Sequence, residues 1–377
     1  MYRLATIFLA PVLALGLAYN STETSSGNAA VKYLRADAAL RQSYPFSPNA
    51  AGDLEKALEA PLTADEEKMV AAAEEAMVEL HHGAETKHCD WMMSHEDGPL
   101  TNTSHRGAIR EIVAVAGLRA RIRFRDGDVG GAMTDVVAAI AAARHLTLDG
   151  SITSVLLGNK LEREVSVILA EHLQRLSPPQ LNQLSKGIDE LPKASDMATA
   201  IADEKIARKD LSNIAQSSQT RAELVEALAK GIPTLRGDRK EAAEIVDGCG
   251  GTADGFQKCI SQQDDLFALV VSKFNLKPEE FEKVYSARLA ELSVTNTVVK
   301  RFTPMMSRLR WAEAQTQTRR AMLRAAIAVC QDGSKTLSQH LDPYENLTFS
   351  YIPASRGFTL TSQLRDDSNQ IALMIGN

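Results

Sequence analysis

From Ala108 onward the apolar residues Ile109, Ile112, Val113, Ala116 and Ala120 recur at spacings of three and four, which gathers them on one side of an α-helix. Asp126-Gly127-Asp128 ends that pattern, and Val129, Ala132, Met133, Val136, Val137, Ile140 and Ala143 restart it at once. Two apolar stripes joined by so short a turn bury themselves against each other as an antiparallel helical hairpin. A chain organised around such a unit is mainly α. Its composition agrees, since aromatics are only 5% of the chain while Ala and Leu are plentiful and Gly and Pro modest.

Other segments carry their own start signals. Thr63-Ala64-Asp65-Glu66 has the form of a capping box, with Thr63 as N-cap and Glu66 at the third helical position. Ser177-Pro178-Pro179-Gln180 places a capping serine before a proline at the first helical position, Asp149-Gly150-Ser151 opens a third helix, and Pro278-Glu279-Glu280 opens another. A first helix is expected over Val31 to Gln42. Ala194 to Lys230 reads as one long helix or a broken pair, Gly231 to Cys259 as an interruption, and Glu291 to Cys330 as a helix kinked at Pro304.

The tail follows a different period. Leu347, Phe349 and Tyr351 alternate with polar neighbours, Pro353 to Gly357 turns, and Phe358, Leu360 and Ser362 resume the alternation, which predicts a β-hairpin with a possible third strand over Ile371 to Ile375. A hairpin alone is marginal in water, so its apolar face must lie on the helices.

Leu4 to Ala18 is an apolar and small-residue run preceded by Arg3 and interrupted by Pro11. It is shorter than the roughly 20 residues of a spanning helix and ends in a small-x-small pattern, so it predicts a signal peptide cut after Ala18. The expected organisation is a signal over 1–18, a linker and first helix over 19–62, a helical body over 63–335 and the β segment over 336–377. The mature chain is expected to be secreted or periplasmic, without membrane insertion. A net charge of −6 lacks the basic excess that phosphate backbones demand, which argues against nucleic acid; the arginines of the stretch Arg119 to Arg125 are expected to spread over a solvated face.

Four cysteines suit an oxidising compartment. Of the three possible pairings, Cys249 with Cys259, closing a short glycine-rich loop, and Cys89 with Cys330 form the preferred set. Histidines crowd one segment: His81, His82, His88, His95 and His105 lie within 25 residues, beside Cys89 and Asp90. Neutral imidazoles bind zinc or copper, so His81, His82, His88 and His95 form a candidate metal site. The spacing matches no closed metal motif, since Pro99 stands where a zinc-protease helix needs its second histidine, and polar surface histidines are the simpler account. Gly248-Cys249-Gly250-Gly251 lacks the Lys-Ser/Thr of a phosphate loop, and no Gly-x-Ser-x-Gly elbow occurs. Glu162 and Glu164 read as part of a solvated face, and Trp91 and Trp311 as core anchors.

Three resemblances accompany these features. The turn at Gly127-Asp128 with the small Ala132 resembles a tetratricopeptide hairpin, although the Trp and Tyr of that repeat's first helix are absent and no 34-residue recurrence is found. Cys89-Asp90-Trp91, the hairpin and the ending from Ala321 resemble uncharacterised exported helical proteins of planctomycete-type bacteria. The ending, with Asp342-Pro343-Tyr344 and then Gly357-Phe358 in alternating strands, is similar to the C-terminal part of type II secretion pseudopilins; a pilin-type N-terminal assembly helix is missing, so pseudopilus assembly does not carry over. None of the three implies catalytic residues. The leading expectation is an exported non-catalytic helical scaffold or binding protein that presents a groove to a protein or peptide partner. The alternative is a metal-binding protein or metal-dependent enzyme built on the segment 81–105.

Overall fold

A computed structural model describes residues 27–44, 56, 58, 60–92, 103–203, 205–366 and 369–376. The expected signal over 1–18 and most of the expected linker lie outside them. The fold is mainly α with a small antiparallel sheet at the C-terminal end. In chain order the first helices are α1 (Ala29–Ser43), α2 (Ala64–Ala72), α3 (Glu74–Glu85), α4 (Ser104–Asp126), α5 (Val129–Leu146), α6 (Ile152–His172) and α7 (Pro178–Asp189). The capping box at Thr63 forms: Glu66 N–H donates to Thr63 Oγ1 at 3.3 Å and Thr63 N–H to Glu66 Oε2 at 2.7 Å. Gly127 sits at φ 89°, the left-handed turn that ends α4, and the Asp128 side chain then caps α5. Contact between α5 and α6 is closest at Gly158, where a Cβ would stand 2.5 Å from the Ala143 carbonyl oxygen.

The chain then leaves this body for a lobe of α8 (Met197–Asp203), α9 (Lys205–Ser217), α10 (Arg221–Gly231), α11 (Arg239–Gly248), α12 (Ala253–Lys273), α13 (Pro278–Ser293) and α14 (Thr297–Phe302). It returns through the long α15 (Met306–Asp332). Two expectations change here. The expected interruption over Gly231 to Cys259 is largely helical, because Asp238 and Thr252 each cap a new helix and only Gly250 and Gly251, at φ 89° and 71°, turn between them. Pro304 does not kink a continuous helix. Instead, α13 stops at Ser293, Asn296 caps the short α14, and α15 starts after Pro304, where the ring cannot accept a helical neighbour on its N-terminal side.

The tail forms β1 (Leu341–Asp342) paired with β2 (Leu347–Thr348), and a meander of β3 (Ser350–Ala354), β4 (Gly357–Asp366) and β5 (Asn369–Ile375). Phe358, Leu360, Leu364, Ile371 and Ile375 point from this sheet into the same apolar cluster as Ile109, Ile112, Val136 and Ala326. The body core is therefore assembled from both ends of the described chain. Two smaller cores fill the lobe, one of them sharing Ile152 and Val155 of α6 and Met306 and Leu309 of α15. Among the described residues no helix is long and apolar enough to cross a membrane.

Candidate functional site

α5 is rich in alanine, so its neighbours approach it closely without covering all of it. Met133, Thr134, Val137, Ala138 and Ala141, at spacings of three and four, form the floor of an open groove of about 970 Å³. The end of α3, with Ala84, makes one wall; α7, with Leu184 and Gly187, makes the other, closed by Leu191 and Pro192. Glu85 and Lys87 stand on the first rim and Lys186 and Glu190 on the second, so the rims carry both signs. Between Met133 and Ala141 the floor runs about 12 Å, roughly two helical turns.

One end of the groove is held by buried charge. Asp135, fully enclosed on α5, accepts from His81 Nε2 at 2.9 Å and Arg123 Nη1 at 2.9 Å, with Arg119 Nε at 3.5 Å. A carboxylate partner requires His81 Nε2 to carry the proton. The arginines of 119–125 thus differ from the solvated face expected of them: Arg119 is 6% exposed and also meets Glu74 at 2.9 Å, while Arg125 reaches Glu67 and Asp126 outside. Their spacing points some of them inward because α4 is covered on several sides.

Among the described residues the histidines of this segment do not converge. His81 is taken by Asp135, His82 Nδ1 lies 3.6 Å from Glu79, the exposed His88 offers its carbonyl to Ala29 N–H at 2.9 Å, and His95 lies outside the described residues. Among the described residues no three His, Cys, Asp or Glu side chains gather as a metal would need. The segment instead clasps the fold. Trp91 donates its indole N–H to the His145 carbonyl at 2.8 Å and stacks between Tyr33 and His105, with ring centroids 6.1 and 4.8 Å apart, as a core anchor. His105 is buried, where a surface position was expected, and its Nε2 donates to Asp149 Oδ2 at 2.9 Å.

Asp149 also accepts from the Ser151 hydroxyl at 2.9 Å, the Ser151 backbone N–H at 2.9 Å and the Ser154 hydroxyl. Burial opposes its ionisation, but the bonds from His105, Ser154 and Ser151 outweigh that and hold the carboxyl below its usual range. The serines face the aspartate and Arg106, not the imidazole, so no Ser–His pair of the nucleophile-and-base kind is made here. This is a structural hub joining α4, the turn after α5 and the start of α6.

All four cysteines are free thiols, so neither expected bridge is made. Cys89 points at the His145 carbonyl, 4.0 Å away, whereas Cys330 sits on α15 beside Gln331, which binds Asn182 of α7. Cys249 and Cys259 do meet, with a hydrogen bond between their thiols, and Cys249 Sγ also lies 3.2 Å from Thr297 Oγ1. Burial pushes the Cys89 and Cys259 thiols up to about 12 and Cys330 up to about 11, which leaves them poor nucleophiles.

Residue spacing carries no sign of the other buried ion cluster. Glu162, read as part of a solvated face, is 6% exposed and lies between two arginines: Oε1 accepts from Arg144 Nη2 at 2.7 Å and Nε at 3.1 Å, and Oε2 from Arg320 Nη2 at 2.6 Å and Nε at 3.0 Å. The only local hint was an acid on α6 placed among apolar positions. No protein-family model, curated protein or solved structure matches this chain.

Proposed function

We propose that this chain is an exported, non-catalytic binding protein whose groove over α5 seats an amphipathic helix of a protein partner. The observation that carries the reading is the groove itself: α3 and α7 leave a channel over α5 in which Val137 stays partly open and Thr134 exposed, above the buried Met133, Ala138 and Ala141. A guest helix laid there would present apolar residues at i, i+3 or i+4 and i+7, with its flanks meeting rims of both signs. At about 970 Å³ the groove is at the upper end of the range that takes discrete ligands.

A displayed library of helical peptides tests this. Enriched sequences should carry that apolar spacing, and Val137→Glu, which places a charge on the floor, should weaken them at least roughly tenfold. Failure to enrich, or binders indifferent to Val137→Glu, would remove the groove as the site. Export rests on the Leu4 to Ala18 run alone, since the thiols are unpaired. Expressed in a bacterial host, the chain should be recovered from the periplasm or medium with Tyr19 as its first residue; cytoplasmic protein beginning at Met1 would contradict export.

A further inference from the structure

A second cavity, of about 240 Å³, lies between α5, α6, α15 and β5 and shares no lining residue with the groove. Five arginines line it, against a single carboxylate, Glu162. That carboxylate is already spent, because both of its oxygens are gripped side-on by Arg144 and Arg320. At the mouth stand Arg163 and Arg324, each about half exposed and, among the described residues, each held by a long ion pair, Arg163 to Glu164 at 4.0 Å and Arg324 to Asp189 at 3.5 Å. Surface pairs of that length contribute little and are readily exchanged for a better acceptor. Glu313, on the far side of Arg320, does not line the cavity.

Apolar side chains make up much of the remaining wall, Ile140 and Ile188 deep, Leu323 on α15, and Val167 and Leu373 nearer solvent, with Asn159, Ser166 and Thr316 as its polar members. A planar guanidinium fork matches a carboxylate in geometry, and the adjoining apolar wall asks for a hydrocarbon attached to it. The volume falls just under the usual range for drug-sized ligands, which limits the guest to a chain of medium length at most.

We propose that this cavity binds a medium-chain aliphatic carboxylate, its anionic end on Arg163 and Arg324 and its chain along Val167, Leu323 and Leu373. The site does not depend on the reading of the groove. Isothermal titration of the whole protein with octanoate, below its micelle concentration, should give saturable one-to-one binding. Acetate, octanol and inorganic phosphate should each bind at least tenfold more weakly, since each lacks one half of the recognition.

The double variant Arg163→Gln/Arg324→Gln should weaken octanoate at least tenfold. Ala372→Trp, which builds bulk from an exposed strand position into the opening, should abolish binding with the arginines intact, so the proposal stays testable if the double variant fails to fold. Val137→Glu should leave octanoate binding unchanged. No saturable binding, phosphate bound as tightly as octanoate, full affinity in a folded double variant or in Ala372→Trp, or a loss in Val137→Glu would each overturn the assignment.

Discussion

Replacing Glu162 by Ala should lower the unfolding free energy by about 3–5 kcal/mol, the cost of leaving buried charge without its partner. The carboxylate side chain is 7% exposed and Arg144 is 10% exposed, so little water stands ready to replace the lost oxygens. Burial alone would favour the protonated acid, but Arg320 and Arg144 overcome it and keep the pKa of Glu162 below its usual range. Removing the acid therefore leaves two guanidiniums facing each other across the seam of α5, α6 and α15. Urea unfolding of wild type and variant checks this, and a loss under about 1 kcal/mol would mean that solvent already reaches the site. A charge-free triple variant, Arg144→Met/Glu162→Leu/Arg320→Met, should recover most of the loss, since the penalty belongs to the unpaired charges and not to the missing volume. Failure of the triple variant to recover would instead make the hydrogen-bond geometry, and not charge balance, the source of the stability.

The second large effect is acid sensitivity centred on His145. Its ring is fully enclosed, Nδ1 lies 2.8 Å from Tyr33 Oη, and Nε2 has no hydrogen-bond partner among the described residues. Protonation would require a second buried N–H to go without an acceptor beside an uncompensated charge. Burial accordingly lowers the pKa from 6.5 to about 4. The unfolded chain takes up this proton near pH 6.5 while the folded chain refuses it until about pH 4, so the unfolded state binds more protons across that window. Stability is full above pH 6.5 and falls as the pH drops toward 4, by about 3 kcal/mol for this residue. His172, likewise lowered to about 4 by burial and then by Arg175 and Arg121, adds in the same direction, though its partial exposure makes its share smaller. Urea midpoints measured at pH 7, 5.5 and 4.5 for wild type and His145→Gln would show it: the wild-type curve should be the steeper, and parallel curves would exclude His145 as the source.

Legibility in the sequence followed the range of the interactions. The capping signals at Thr63, Ser151 and Ser177, the hairpin at Gly127 and the strands of the tail are set by residues within a turn or two of each other, and each appears in the fold, although Leu347 and Tyr351 are exposed and the inward alternation holds only in β4 and β5. The expected break over 231–259 is largely helical because Gly, Pro and Cys are as compatible with short capped helices as with a loop, and Asp238 and Thr252 decide between them. Glu162 and Arg320 are 158 residues apart, and no local pattern joins them. The five histidines misled for the opposite reason. Closeness in sequence suggested convergence, but His81 leaves α3 toward Asp135 while His105 starts α4 beside Asp149, and the clasp around Trp91 separates them. The groove was foreseeable as a kind of surface, not as a place, because which face of α5 stays open depends on how α3 and α7 are set against it.

The body core draws on α1 to α7, then on α15 and the strands after it, with the whole lobe from α8 to α14 threaded between. During synthesis the first helices of this core therefore emerge without the partners that complete it, and they wait until the last strand has been made. Contacts so distant along the chain also close slowly, because a long loop must be ordered before they form. Under the export proposed above, such delay is an advantage: the closing element arrives last, and the polypeptide stays threadable for as long as it is being passed through.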